Sequence, residues 1–492
     1  MAQLLAPVAP SSLGVDARGV IALVDALEAE DHDPHSLVLA RHGHVAARGW
    51  WAPYTPDRVQ LVYSLSKSFA ATAVGLLVDA GRLSLDDRVF DVIPASEVPA
   101  GATVSDRYRR LTLGHCLTMA TGHDTDAWGE ETNAAALRTA AGPEDPVLAA
   151  VLAHDPEHEP GTAWAYNQAA SYLVGAVVRA TTGGSLLDLL GPGLLAALDP
   201  DAAAAARWHL TATGRELGFS GFHVGTDAVL ALAQTHLDHG RWQGSQLLSD
   251  QWVATATTPT GLPNREPDAN PDWRHGYGCS FWAASHGYRG DGAFGQFAIV
   301  LPEQDVALAI TSETTDMQAV LDLVWEHLLP ALDQPGDPRA DAELDGRMAG
   351  LQVPTPPSTA AGPRTADWVR SADSELPERY TAARLTDAAG GGWVLDLDVD
   401  GTSVPLRVGD GRWLESLLAV DEAVLPVVAA GGWGAAGEFR AELRLVETPH
   451  RILVHGRRDG SMRLTWRQVP LHGADPAMLA VRSRDEVPGM PG

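Results

Sequence analysis

Residues 63–69 read Tyr-Ser-Leu-Ser-Lys-Ser-Phe and contain Lys67, the only lysine in a chain of 492 residues. Every other basic side chain is Arg or His. Arg replaces Lys readily on a solvated surface, so a position that keeps Lys is expected to need an amine that can lose its proton. Ser64 precedes this lysine by three residues, which predicts that both side chains share one face of a helix. The alternative is an ordinary surface lysine next to a helix cap.

The residues that follow Ser64 predict a buried helix. From Ser64 to Ala80 nearly every position is apolar, and Gly81 supplies a typical stop. A helix that is apolar on most of its faces lies inside a protein. We therefore expect Ser64 and Lys67 at the start of a buried helix, where they face the same space.

Strand patterns occur on both sides of a long helical region. Segments 36–41 and 44–51 flank a His-Gly turn, 82–270 is mostly helical, and strand patterns return within 277–310. This order predicts an α+β fold in which one sheet is assembled from distant parts of the chain.

The chain is predicted to form two domains. Residues 1–335 form the first domain, and 336–366 are rich in Pro, Gly, Asp and Ala, which indicates a linker. In residues 367–492 one strand pattern follows another. We expect this part to be a separate β-rich domain with a barrel-like shape, and we find no chemistry in its sequence.

Composition argues against several classes of partner. The formal net charge is −28, and phosphate binding needs clustered cations, so neither nucleic acid nor an anionic membrane is an expected partner. Neither a signal peptide nor an apolar stretch of membrane-spanning length is recognisable, which predicts a cytoplasmic protein. Cys116 and Cys279 are expected to be free buried thiols, although two cysteines can also pair. No metal or other cofactor is expected, and self-association stays open.

Three segments carry chemistry that fits together. An amine with a lowered pKa can take the proton of the Ser64 hydroxyl and activate it as a nucleophile. Tyr166 lies in a turn before a helical segment, where its hydroxyl can reach a cleft and, as tyrosinate, pass a proton to a leaving group. The glycine-rich segment 288–296 enters a strand, where a backbone N–H can complete an oxyanion hole. Taken alone, Tyr166 also fits a packed aromatic residue, and 288–296 fits a plain hairpin.

The three motifs follow one another in a characteristic order. Ser-x-x-Lys stands at 64–67, Pro-Gly-Thr-x-x-x-Tyr at 160–166 and the glycine-rich strand at 290–296. This order resembles the serine β-lactamase and penicillin-binding-protein superfamily, in its class C-like branch of esterases, D-aminopeptidases and nylon-oligomer hydrolases. The match covers roughly 15–335. It implies a β-lactamase-like antiparallel sheet flanked by helices, with a helical subdomain, and a serine hydrolase of small-molecule esters or amides.

The resemblance also implies roles for individual residues. Ser64 is the acylated nucleophile, Lys67 the activating base and Tyr166 the general acid and base. The N–H groups of Ser64 and Ala293 form the oxyanion hole. Whether Lys67 or Tyr166 takes the first proton stays open, because two such groups titrate as a unit.

Two departures from the family's motifs concern the substrate. Gln168 stands where β-lactamases have Asn, and residues 290–292 read Gly-Asp-Gly in place of Lys-Thr-Gly. Loss of that lysine removes the usual partner of a β-lactam carboxylate, and Asp291 is expected to repel a carboxylate or to meet a substrate amine. The candidate substrate-binding residues are Asn167, Gln168, Asp291, Gly292 and Phe294.

We therefore predict a carboxylesterase or amidase that forms an acyl-enzyme on Ser64, with antibiotic hydrolysis as a side activity at most. Two alternatives stay open. One is a non-hydrolytic, penicillin-binding-like sensor that is acylated without turnover. The other is a peptidase or amidase that acts on D-amino acid compounds.

Overall fold

The chain forms two compact units. The computed structural model describes residues 7–129, 145–196, 198, 200–264, 266 and 269–481. Of these, the residues up to 49 and from 61 to 350 belong to the first unit, and residues 50–60 and 351–481 belong to the second. The first unit combines helices with an antiparallel sheet and the second is rich in strands, which confirms the predicted fold class.

An antiparallel sheet of six strands forms the framework of the first unit. The strands up to residue 312 are β1 Pro34–Arg41, β2 His44–Trp50, β3 Gln60–Leu61, β4 Arg207–Trp208, β5 Phe222–Val224, β6 Arg241–Trp242, β7 Ser245–Gln246, β8 Trp282–Ala283, β9 Tyr288–Gly292, β10 Gln296–Leu301 and β11 Val306–Ser312. The sheet has the order β2-β1-β11-β10-β9-β8. Antiparallel pairing of β1 with β11 joins distant parts of the chain, as predicted.

Helices cover the sheet and form a helical part beside it. They are α1 Ala17–Ala29, α2 Ser66–Asp79, α3 Val89–Val92, α4 Asp106–Arg110, α5 Leu113–Leu117, α6 Pro146–Leu152, α7 Gln168–Thr182, α8 Leu186–Leu190, α9 Pro200–Ala205, α10 Thr226–Leu237, α11 Asp250–Thr257, α12 Met317–Leu323 and α13 Pro338–Ala349. α10 packs against β1, β10 and β11, whereas α7 packs against α2 and α5.

The helix α2 is buried, as its apolar sequence predicts. Every residue from Ser66 to Gly75 is shielded from solvent. The helix begins at Ser66 rather than at Ser64, because Tyr63–Leu65 form a 3₁₀ turn that leads into it. Ser64 therefore lies just outside the α-helix, on the turn that joins it to β3.

The predicted linker 336–366 is partly helical. α13 occupies 338–349, begins at an Asp337 cap and packs against α1. Arg347 joins the two helices through an ion pair with Asp25 at 2.9 Å. The first unit therefore extends to residue 350 instead of 335. Sequence reasoning missed this helix because its Pro, Gly and Asp content is typical of a linker.

A short N-terminal segment also departs from the predicted boundaries. Residues 50–60, placed in the first domain from the sequence, belong to the second unit. The Ala52 N–H donates to Leu351 O at 3.1 Å, and the Val353 N–H donates to Ala52 O at 2.8 Å. Pairing with residues far along the chain leaves no local pattern that predicts this arrangement.

The second unit is a nearly closed sheet of nine strands. They are β12 Thr365–Arg370, β13 Tyr380–Asp387, β14 Trp393–Val399, β15 Thr402–Val408, β16 Leu414–Val420, β17 Ala423–Trp433, β18 Phe439–Leu445, β19 Arg451–Gly456 and β20 Ser461–Trp466. The order is β15-β14-β13-β12-β20-β19-β18-β17-β16. The Arg407 N–H on β15 donates to Ser416 Oγ on β16 at 2.8 Å, which draws the two end strands together. This confirms the separate C-terminal β-rich domain predicted from the sequence.

No single helix among the described residues is long and apolar enough to cross a bilayer. Helices Gln168–Thr182 and Leu186–Leu195, which are bent by 68° at their junction, meet the length and composition criteria only as a pair. The two cysteines, Cys116 and Cys279, are free and buried, as expected.

We predict that Gly75→Ala in α2 destabilises the first unit. A Cβ at this position would lie 2.3 Å from Trp252 Nε1, and the rigid indole cannot yield without shifting α11. Overpacking of this kind costs about 1–3 kcal/mol, which outweighs the gain of about 1 kcal/mol that alanine brings to a helix. Urea denaturation followed by tryptophan fluorescence measures the free energy of unfolding.

The matched control for this prediction is Gly346→Ala in α13. Apart from its chain neighbours and the backbone of its own helix, no described atom lies within 4 Å of a Cβ built at Gly346, so we expect only the helix propensity to change. We expect this variant to be stabilised by up to about 1 kcal/mol. Equal stabilisation of both variants would contradict the packing described for Gly75.

Candidate active site

Ser64 and Lys67 meet at the start of α2. Ser64 lies on the 3₁₀ turn and Lys67 in the first turn of the helix. The chain enters this turn through Tyr63, whose φ of 47° is left-handed. Lys67 Nζ is 3.0 Å from Ser64 Oγ. The spacing of three residues therefore brings the two side chains into hydrogen-bond contact.

The Lys67 amine is buried, and this changes its protonation. Lys67 is 1% exposed. Burial lowers its pKa from 10.5 to about 7, while the charges of Asp126 and Asp291 act in the opposite direction. A change of this size corresponds to about 5 kcal/mol in favour of the neutral amine. Near neutral pH a substantial fraction of Lys67 is therefore unprotonated.

Two fixed acceptors orient the neutral amine. Nζ donates to Gln168 Oε1 at 2.7 Å and to Phe219 O at 2.9 Å. Both are carbonyl oxygens and can only accept, so they engage the two N–H bonds of a neutral amine. The lone pair is left for the third neighbour, the Ser64 hydroxyl, which can donate its proton. This geometry equips Lys67 to act as a base toward Ser64.

Tyr166 reaches the same space from the segment before α7. Lys67 Nζ lies 4.7 Å from the centroid of its ring, and the ring stacks on Trp282 with 5.7 Å between centroids. Burial and then the charge of Asp291 raise the Tyr166 pKa, and hydrogen bonding with Ser64 opposes this rise only in part. Tyr166 is therefore held as a protonated phenol. This disfavours the tyrosinate expected from the sequence.

The two residues predicted to form the oxyanion hole lie at one pocket. Ser64 and Ala293 both line it. Gly292 allows the strand end before Ala293 to approach the turn that carries Ser64, because a Cβ at Gly292 would lie 2.0 Å from Val62 O. Glycine thus lets the end of β9 pack on the turn that carries Ser64.

The pocket has a volume of about 320 Å³ and a mixed lining. Large apolar side chains come from Trp273, Trp282 and Met317, and the charged residues are Glu266 and Asp291. Among the described residues that line it, none is Lys or Arg. Among these described lining residues, a substrate carboxylate meets no cationic side chain.

Asp291 is an ion-paired residue rather than an isolated charge. Arg289 Nε donates to Asp291 Oδ2 at 2.9 Å, and the fully buried guanidinium lies 4.1 Å from the centroid of the Trp273 ring. Burial raises the pKa of the Asp291 carboxyl, and the Arg289 charge opposes that rise. The repulsion of a carboxylate and the attraction of an amine that the sequence suggested are therefore weakened. Arg289 could have been found, since residues two apart on a strand share a face.

The other candidate substrate-binding residues contact neighbouring parts of the site. Gln168 orients Lys67, and Gly292 packs on the main chain. Asn167 is fully buried and caps α7 with its side chain. Phe294 packs edge-on against Tyr63, with 5.1 Å between centroids. Of the five candidates, only Asp291 is among the described residues that line the pocket.

Asp126 is a site residue that sequence reasoning did not single out. Its Oδ1 accepts hydrogen bonds from the Gln168 N–H at 2.9 Å and the Trp128 N–H at 3.0 Å. Its negative charge also favours protonated Lys67. This role depends on long-range contacts, and no local pattern around Asp126 indicates it.

We predict that Asp126→Asn shifts the acidic limb of Ser64 reactivity to lower pH. Asn can still accept both backbone hydrogen bonds, but the charge that raises the Lys67 pKa is lost, so more of the amine is neutral below pH 7. For a solvent-accessible carboxylate the effect is worth about 0.5–1 kcal/mol, or about 2- to 5-fold in rate. The rate of labelling by a fluorophosphonate across pH 5–9 measures it.

Asp124→Asn is the matched control for this shift. Asp124 is two residues away, is exposed and accepts from His158 Nε2 at 2.7 Å rather than approaching Lys67. We expect its acidic limb to coincide with that of the wild type. A limb that moves equally in both variants, or moves to higher pH in Asp126→Asn, would contradict the electrostatic role of Asp126.

Comparison with known proteins identifies the family of this chain. The family described as Beta-lactamase matches residues 24–329. Penicillin-binding protein 4 of Amycolatopsis lactamdurans is 29% identical over 370 residues, which cover 68% of this chain and 88% of that protein. Among solved structures, SurE with D-Leu is 19% identical with a TM-score of 0.49 and covers 87% of this chain and 97% of its own. A putative 6-aminohexanoate-dimer hydrolase from Bacillus anthracis is 16% identical with a TM-score of 0.49, covering 62% and 80%. With more than half of its length matched by the family, this chain belongs to the beta-lactamase family.

Proposed function

We propose that the protein is a serine hydrolase that cleaves an ester or amide bond through an acyl-enzyme on Ser64. The observation that carries this proposal is the buried Lys67 amine, whose two N–H bonds are engaged by carbonyl oxygens while Ser64 Oγ lies 3.0 Å away. A pKa of about 7 gives this amine the proton affinity that a general base needs near neutral pH.

In the acylation step, Lys67 Nζ removes the Ser64 proton as Oγ attacks the substrate carbonyl. The carbonyl oxygen gains negative charge and is stabilised by the N–H groups of Ser64 and Ala293. The resulting ammonium has three donors, and Gln168 Oε1 and Phe219 O remain as acceptors for two of them. We propose Lys67 as the first proton acceptor, which the raised pKa of Tyr166 supports.

Collapse of the tetrahedral intermediate needs an acid for the leaving group. Tyr166 is protonated and interacts with Ser64, so its hydroxyl can donate as the bond to the leaving group breaks. The Lys67 ammonium beside its ring then restores the phenol. In deacylation a water molecule attacks the ester on Ser64. The same groups take the proton of the water and return a proton to Ser64 Oγ as it leaves.

The pocket lining supports an uncharged, apolar acyl group as the substrate. Trp273, Trp282 and Met317 supply apolar surface, and no described cation lines the walls. The Asp291 carboxylate also stands at the pocket, although Arg289 compensates much of its charge. Anionic substrates such as β-lactams therefore gain little binding energy here. We propose neutral carboxylic esters, or amides of similar shape, as the better substrates.

Acylation without turnover is the competing function. The relative from Amycolatopsis lactamdurans is named for binding penicillin, and a protein of that kind can keep its acyl group. A sensor would carry a lasting adduct on Ser64, whereas a hydrolase would release it. Hydrolysis that is confined to D-amino acid amides would favour the peptidase alternative.

We predict that the wild type hydrolyses p-nitrophenyl esters of apolar acids and that Lys67→Arg lowers kcat by roughly 10²–10⁴-fold. Arginine retains its proton near neutral pH and cannot accept that of Ser64. Initial rates on acetate, butyrate, phenylacetate and D-amino acid esters and on a chromogenic cephalosporin measure turnover. Intact mass spectrometry during turnover records the adduct.

Ser64→Ala serves as the matched control and is expected to form no adduct. The thermal midpoint of Lys67→Arg shows whether lost activity reflects lost folding. A permanent adduct in the wild type would favour the sensor. No adduct and no hydrolysis across the whole panel, or full activity of Lys67→Arg, would refute the proposed function.

A further inference from the structure

Both oxyanion donors adjoin a bulky residue in a backbone conformation that usually requires glycine. Tyr63 directly precedes Ser64 and has φ 47°, and Phe294 directly follows Ala293 and has φ 66°. A left-handed conformation is uncommon for aromatic residues and costs conformational free energy, whereas glycine adopts it freely. Because both predicted donors have such a neighbour, the geometry points to the Tyr63 and Phe294 side chains as what holds the backbone in this conformation.

The side chains of these two residues touch. The Tyr63 and Phe294 rings pack edge to face, with 5.1 Å between centroids and 64° between planes. Tyr63 is 1% exposed and Phe294 is 8% exposed. Beside them, Gly292 packs directly on Val62 O. The turn that carries Ser64 and the turn that carries Ala293 therefore meet at this ring contact, next to the packing of Gly292 on the main chain.

The Phe294 side of this contact is firmly anchored. Its carbonyl oxygen accepts from the Thr314 N–H at 3.2 Å, from Gln296 Nε2 at 3.0 Å and from Ser312 Oγ at 3.2 Å. Tyr63 is held on both sides along the chain. The preceding Val62 N–H donates to Phe222 O at 2.9 Å, and α2 starts soon after Tyr63. Because the Tyr63–Ser64 peptide carries the Ser64 N–H, a change of φ at Tyr63 would redirect this donor.

We propose that Tyr63 and Phe294 form an aromatic clamp that fixes the separation and direction of the Ser64 and Ala293 N–H groups. This inference rests on the proposed function and concerns the same site. The two residues are positioning residues, since they act through the backbone donors. An oxyanion hole acts mainly on the tetrahedral state, so loosening the clamp lowers kcat more than it changes substrate affinity.

Glycine substitutions test this proposal, because glycine retains the left-handed backbone without strain but lacks the ring. We expect Tyr63→Gly and Phe294→Gly each to lower kcat about 10- to 100-fold and to weaken inhibition by an aryl boronic acid by a similar factor. KM for p-nitrophenyl butyrate should change less than about 3-fold. Because both variants break the same contact, the double variant should be no more than about 3-fold worse than the more severe single one.

Two further variants separate this role from general packing. Phe439→Leu breaks the buried edge-to-face pair of Phe439 and Trp393 in the second unit, with 5.2 Å between centroids, which flanks neither donor. It should lower the thermal midpoint but leave kcat within about 2-fold. Tyr63→Phe keeps the clamp ring and should retain at least half of the wild-type kcat.

The outcomes distinguish the clamp from the proposed function. Glycine variants that fold and keep the wild-type kcat would overturn the clamp but not the proposed hydrolase function. The same holds if the loss of kcat in the double variant equals the product of the two single losses. If the glycine variants do not fold, infrared spectroscopy of the acyl-enzymes of Tyr63→Leu and Phe294→Leu records the ester carbonyl stretch. A shift of that band toward weaker hydrogen bonding supports the clamp, and an unchanged band overturns it. A wild type without hydrolysis or boronate inhibition refutes the proposed function itself.

Discussion

The removal of Lys67 from water is the interaction on which the site depends. An exposed lysine is protonated at neutral pH and cannot act as a base, whereas this amine is 1% exposed and its pKa is lowered to about 7. Desolvation outweighs the attraction of two carboxylates, Asp126 and Asp291, which favour the ammonium. The resulting balance keeps both protonation states accessible near neutral pH. In the proposed mechanism, this balance lets one amine accept a proton from Ser64 and later pass one to Tyr166.

The fold serves this balance by bringing distant segments against the start of α2. The chain supplies Gln168 from the start of α7 and Phe219 O from a loop, and these two acceptors orient the amine. The end of β9 approaches the same turn because Gly292 has no side chain. Arg289 pairs with Asp291, so this carboxylate can stand near Lys67 without its full charge favouring the ammonium. Gln168 lies on a helix, and Arg289, Asp291 and Gly292 lie on a strand, which limits how far these partners can relax when charge moves.

Local sequence patterns were enough to predict the features that depend on short segments of the chain. The lone lysine three residues after Ser64, the apolar run to Ala80 and the alternating strands beyond 367 indicated the buried helix and the β-rich unit. Features that arise only from long-range contact were missed, as Asp126 and the Phe219 carbonyl illustrate. A carbonyl oxygen has no side-chain identity to read, and Asp126 is an ordinary acidic residue in its own segment. The helix at 338–349 was missed for a different reason, because its composition is typical of a linker.

The protonation state of Lys67 is the most direct test of this account, and the composition makes it measurable. With one lysine in the sequence, a protein labelled with ¹³Cε-lysine gives a single side-chain resonance. We expect its chemical shift to titrate with a midpoint near pH 7 in the folded wild type and to return toward the ordinary lysine range on unfolding in urea. A midpoint close to the ordinary lysine value of 10.5 in the folded protein would contradict the central claim.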